Sequence, residues 1–254
     1  MQRISLSWRI YWLLVGALVA GFTLNAWLPQ GSVIDAAMQA QAAQQAMPPR
    51  WQMALVYAGV ALVLYGGLGA IGMALARRTG FADLWDPGVT NRQRFLVPAL
   101  WGAALGLTFI VADSLFSRVN PFGGFPHPPF PTSLVASLNA AIGEEIIFRL
   151  FFIPFWMWLI SGVMLRGRGR APTFWIVTTA SAVAFAAGHL PTAMVLLEMP
   201  DPGDVPFSVL AEMLLLNGAL SFVAAWLFRR FGILAAMGVH FWTDIVWHVI
   251  WGLF

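Results

Sequence analysis

The sequence predicts an all-α fold, a polytopic transmembrane helical bundle of about seven spans, and three observations carry that expectation. Charged residues make up only 10% of the chain against 59% hydrophobic, with a mean hydropathy of +0.76. A domain folded in water needs about a quarter of its residues charged. The apolar residues also fall into stretches, near 10–28, 51–76, 95–117, 132–162, 172–190, 206–228 and 231–253. Each reaches at least about the roughly 20 residues that cross a ~30 Å hydrocarbon core, and open sheets cannot span lipid. Finally, the arginines are distributed unevenly between those stretches. With the N-terminus in the cytoplasm, the cytoplasmic segments hold Arg3, Arg9, Arg77, Arg78, Arg92, Arg94, Arg166, Arg168, Arg170, Arg229 and Arg230. The other side holds Arg50 and Arg118, while Arg149 lies within a span. That asymmetry is the positive-inside pattern of seven crossings.

Taken in order, the first stretch is too long and continuous for a cleaved signal peptide, and no small-residue cleavage site clearly follows it. Residues 29–50 are rich in Ala and Gln and end in Met47-Pro48-Pro49, which predicts a short helix outside the membrane. Residues 118–132, RVNPFGGFPHPPFPT, read as an irregular linker because Pro and Gly punctuate them. The fourth stretch is about 30 residues, long enough to tilt or to project from the bilayer. Residues 190–206 carry Glu198, Asp201 and Asp204 without an arginine. No internal repeat is visible. Cysteine and lysine are both absent, so there is no thiolate chemistry and no disulfide. Arginines spaced between apolar runs are topology signals, which argues against a nucleic-acid partner. The partner they imply is membrane lipid.

A few ionisable residues lie where lipid should exclude them. Of four glutamates in the chain, Glu144 and Glu145 are adjacent within the fourth stretch, followed by Arg149. A charge at mid-helix costs about 2.5–3.5 kcal/mol on insertion scales, so the three must face a polar interior or one another. Glu145 and Arg149, four apart, share a helix face and can pair; Glu144 lies about 100° away and stays unpaired. The plain alternative is a structural ion-pair network that locks helices together. His189 closes the fifth stretch, with Phe185 one turn earlier; alone, such a histidine is more often structural. His240 and Asp244 stack at i and i+4 in the last stretch, and His248 continues the stripe. Asp244 could orient the His240 imidazole, or both could ligate a metal. His127, in the Pro-rich linker, reads as a solvated residue. Asp113 and Glu212 read as interfacial or helix-bridging groups, and Asn139 and Asn217 as donors or acceptors between helices.

In order along the chain, Glu144-Glu145-x-x-x-Arg149, Phe185-x-x-x-His189 and His240-x-x-x-Asp244 resemble the three motifs of the CPBP family, the CAAX proteases and bacteriocin-processing enzymes also called the ABI family. Gly218 and the run Arg229-Arg230-Phe231-Gly232-Ile233 are similar as well, and the resemblance covers roughly residues 95–254. It divides the chain into an N-terminal transmembrane hairpin with its loops, 1–94, and a catalytic domain, 95–254. It implies an intramembrane endopeptidase with a cavity open to one side, acting on a membrane-associated peptide or protein; a prenyl group on that substrate does not follow from membership. Glu144 would be the general base activating water, with His189 helping to hold it. His240 and Asp244 would stabilise the oxyanion or help bind a metal, and Glu145 and Arg149 would be the supporting pair.

The family's third motif carries Asn or Asp, and here it is Asp244. An ionised Asp cannot donate to an oxyanion, so Asp244 is protonated, orients His240, or belongs to a metal shell. Glu144, His189, His240 and Asp244 are suitable zinc ligands, and metal-dependent and metal-free hydrolysis both stay open. His189 maps to the non-cytoplasmic end of its stretch, which leaves open the side from which substrate arrives. Two rival readings use the same residues differently. A proton-coupled transporter also buries Glu, Asp and His, although the chain is short and lacks paired half-repeats. A catalytically silent scaffold or bacteriocin-immunity protein would act through residues 29–50.

Overall fold

The computed structural model describes residues 5–44 and 47–254, so Arg3 lies outside the described residues. Among the described residues, seven helices are long and apolar enough to cross a membrane: Leu6–Asn25, Arg50–Thr79, Arg92–Phe116, Thr132–Met164, Arg170–Leu196, Phe207–Phe231 and Ile233–Leu253. Each overlaps one of the seven apolar stretches, and no strand occurs among the described residues. The short helix expected between the first two spans is Ser32–Gln44. Large apolar side chains such as Leu13, Val63, Leu100, Ile176 and Leu215 are more than half exposed. In a membrane span such faces meet lipid rather than water.

The fifth span departs from expectation. Its first helix, Arg170–Gly188, breaks at His189 and resumes as Leu190–Leu196. Pro191 accounts for the break, because it lacks an N–H and its ring crowds the carbonyl one turn back. His189 therefore sits at a bend inside the span rather than at its end.

Burial identifies the centre of the bundle. Half of the seventh span's apolar window is buried and 39% of the fourth's, against 22% for the second and third. Glycine permits that packing. A Cβ on Gly102 would stand 2.6 Å from the Val239 carbonyl, and one on Gly106 2.5 Å from the Val246 Cβ, so the third span lies directly against the seventh. Gly106→Leu should force these helices apart and lower stability by about 1–3 kcal/mol, the usual cost of overpacking. A thermal midpoint unchanged from the parent protein would refute that contact.

The interhelical segments separate into two faces. On one, Arg77 pairs with Asp83 at 2.9 Å, Arg94 lies over Trp85, Arg229 lies over Phe174, and Arg170 reaches the Thr79 carbonyl. The sixth and seventh spans meet there in a turn at Gly232 alone, whose φ of 82° suits glycine. The arginine-poor face carries the Pro-rich segment 117–131. Asn120 Nδ2 donates to Glu212 Oε2 at 2.8 Å, and the Phe125 N–H donates to Asp113 Oδ1 at 2.9 Å. Asp113 and Glu212 are thus bridging groups, and what they bridge is this segment to the third and sixth spans. The two asparagines behave otherwise than expected. Asn217 donates within its own helix to the Met213 carbonyl, and Asn139 packs on Gly21 with its Oδ1 unpartnered among the described residues. The close glycine backbone offers Asn139 space rather than a donor.

Candidate active site

The site is assembled on the two most buried spans. In the fourth, the α-helical ladder runs through Glu145 and then widens to π-type turns over Ile146–Phe152; in the seventh, the same change follows Asp244. Such widened turns recur at functional sites because they re-aim side chains. Pro154, unable to donate, lies just beyond the first of them. Gly143 lets Tyr65 of the second span approach until an added Cβ would meet its ring at 2.9 Å. That contact fixes the backbone beside Glu144 and Glu145.

Glu145 and Arg149 are both fully buried and meet at 3.1 Å as i and i+4 partners. The charges touch, but the guanidinium N–H groups find no aligned acceptor among the described residues. The guanidinium also lies 4.6 Å from the Phe185 ring centroid, a cation–π contact that links the fourth and fifth spans. The same Glu145 oxygen that meets Arg149 lies 2.9 Å from His240 Nδ1. A carboxylate accepts, so Nδ1 carries the proton and Nε2 is left to face the cavity. The sequence suggested Asp244 as the group orienting His240. Instead, Glu145 occupies Nδ1, and Asp244 Oδ2 stands 3.5 Å from Nε2.

His189 is fixed in the same way. Its Nδ1 donates to the Phe185 carbonyl at 2.8 Å, which turns Nε2 toward Glu144. Glu144 Oε2 stands 3.9 Å from His189 Nε2 and 3.8 Å from His240 Nε2, and this buried oxygen has no hydrogen-bond partner among the described residues. Three polar atoms thus face one another across gaps too long for direct hydrogen bonds and suited to a shared water. The Glu144, His189, His240 and Asp244 side chains also line one cavity of about 260 Å³. Its remaining wall is largely apolar, from Phe109, Leu216, Leu220 and Trp247, with Phe125 and Pro126 of the Pro-rich segment at one side. Among the described residues no three His, Asp or Glu side chains form a group that could hold a metal ion. Glu144, His189, His240 and Asp244, the expected ligand set, line one cavity without being gathered into such a group.

All six residues singled out from the sequence meet in this one cluster. Sequence reading missed the tie between Glu145 and His240, since nothing in either helix says which neighbour faces it. It also misread His127. That residue is half-buried against Trp247, with its Nδ1 3.1 Å from His248 Nδ1, and burial holds its imidazole below the ordinary histidine range. One ring must donate and the other accept, so both cannot be cationic. The Trp-rich C-terminal end divides by face: Trp247 is buried on the cavity wall, whereas Trp242 and Trp251 are partly exposed.

Residues 126–246 match the family model described as type II CAAX prenyl endopeptidase Rce1-like. The match runs from the Pro-rich segment to two residues past Asp244, narrower than the 95–254 suggested by the motifs. No curated protein and no solved structure matches the chain.

Proposed function

Residues 126–246 belong to the type II CAAX prenyl endopeptidase Rce1-like group of the CPBP family, and on that premise we propose that the chain is an intramembrane endopeptidase. In this reading Glu144 deprotonates a water held between it and the imidazoles of His189 and His240. The observation that carries it is the unpartnered Glu144 Oε2 facing two imidazole Nε2 atoms at 3.9 and 3.8 Å on a cavity wall.

The proton on that water passes to Glu144 as its oxygen attacks the scissile carbonyl, and later passes to the departing amine. His189, oriented by the Phe185 carbonyl, holds the water through Nε2. The oxyanion that forms needs a donor placed in advance. His240 has already given Nδ1–H to Glu145, so donation falls to Nε2–H of the imidazolium. The Glu145 and Asp244 carboxylates at its two nitrogens are the counter-charges of that cation, which leaves no need for Asp244 itself to donate. Arg149 holds Glu145 in place through their 3.1 Å contact. The substrate is a membrane-associated peptide, with prenylation left to experiment.

The test uses the full chain in proteoliposomes with internally quenched membrane-associated peptides in ¹⁸O-labelled water. The expected result is cleavage at a defined bond with one ¹⁸O in the new carboxyl group. Absence of cleavage across apolar and prenylated peptides alike would overturn the proposal. His189→Ala should reduce turnover by about 10²-fold, the scale of loss when a reacting group is misplaced. Chelator should leave the rate unchanged; a loss restored by zinc would instead place a metal among these four side chains.

A further inference from the structure

The sixth span brings a carboxylate to the cavity that hydrolysis does not use. Glu212 is fully buried and lines the same cavity as Glu144. Its Oε2 accepts from Asn120, while Oε1 has no hydrogen-bond partner among the described residues. Beside it stands another carboxylate, Asp113, which accepts from the Phe125 N–H. No arginine lines the cavity among the described residues, and Arg149 is paired with Glu145. The imidazoles of His189 and His240 are matched by Glu144, Glu145 and Asp244, whereas Glu212 pairs with no cation among the described residues.

Its position relative to the chemistry follows from the helix. Leu220, two turns on from Glu212, packs with Phe185, and the Phe185 ring lies 4.8 Å from His189 and 5.8 Å from His240. Eight residues of α-helix separate Glu212 from that level by about 12 Å toward the arginine-poor face. An extended peptide covers about that distance in three or four residues.

We propose that Glu212 is a specificity-determining residue: it forms a subsite, three or four residues from the scissile bond, that takes a hydrogen-bond donor or cation and rejects an anion. This inference rests on the endopeptidase reading. A buried acceptor lacking a donor discriminates strongly, because the right side chain completes it and an acidic one brings a further carboxyl group beside Glu212 and Asp113 without a donor for either. A Lys or Arg side chain at that distance satisfies Oε1, an aliphatic one leaves it as it is, and an Asp or a free C-terminal carboxylate opposes it.

The experiment compares quenched peptides identical except for Lys, Leu or Asp at the third and fourth residues from the cleaved bond, on each side in turn. On one side, kcat/KM should fall in the order Lys, Leu, Asp, with Lys ahead of Asp by about tenfold or more. Glu212→Gln keeps an acceptor for Asn120 and should bring that ratio to within about twofold. A ratio near one in the parent protein, or one untouched by Glu212→Gln, overturns the proposal. If the parent protein cleaves none of the peptides, the endopeptidase reading has failed instead. Binding of labelled Lys and Asp peptides to the Glu144→Gln protein then still reads Glu212, and equal affinities overturn the subsite.

Discussion

Glu144→Gln should lower peptide hydrolysis by roughly 10³-fold, within the range that a positioned general base contributes, while the bundle stays folded. The substitution keeps the side chain's size and hydrogen-bonding length, so the cavity wall and the imidazoles need not move. It removes the one group in the cluster that is both able to accept a proton and free of a structural duty. Glu145 is committed to Arg149 and His240, and Asp244 faces the nitrogen of His240 at 3.5 Å. Glu144 Oε2 has no such commitment. Its side chain is also 30% exposed, where Glu145 and Arg149 are fully enclosed, so the amide costs little in packing. The measurement is kcat on a cleavable peptide beside the thermal midpoint. Activity above a tenth of the parent's would remove Glu144 from the reaction, because losing a positioned base costs far more than that. A lowered midpoint with lost activity would instead assign it a structural duty.

The fold was largely legible because lipid imposes a coarse rule: about 20 apolar residues per crossing, with arginine outside. Six of the spans follow it, and the fourth stood out because Glu144, Glu145 and Arg149 break it. The bend at His189 was less legible, although Pro191 was its local cause, since hydropathy does not register a missing N–H. What one helix cannot announce is the identity of its neighbour. Asp244, one turn from His240, was the natural candidate to orient that imidazole; Glu145, 95 residues away, does so because the fourth and seventh spans pack together. His127 was read as solvated from its Pro-rich surroundings, yet that segment folds back on the bundle through Asn120 and Phe125 and buries the ring on Trp247. Asn120 itself carried no signal, as its partner Glu212 lies 92 residues on.

The second large effect concerns stability. Arg149→Met should destabilise the protein by about 3–5 kcal/mol, the usual result of leaving one member of a buried ion pair without its partner. Both side chains of the pair are 0% exposed, so water cannot replace the guanidinium, and the methionine stem occupies similar space without a charge. The residual Glu145 carboxylate would then rely on His240 alone. Removing the second charge as well, in the Glu145→Gln/Arg149→Met double variant, should recover more than half of the lost stability, because the buried charge that made the single variant costly is gone. Activity should not return with it. The introduced amide can present either its oxygen or its NH2 group to His240, so it neither fixes the proton on Nδ1 nor balances an imidazolium. Stability is read from unfolding midpoints in matched detergent and activity from kcat on the same samples. A double variant as unstable as the single one would show that the pair stabilises by packing rather than by charge. A double variant with full kcat would show that His240 needs no carboxylate at Nδ1, and the donor in the reaction would have to be sought elsewhere.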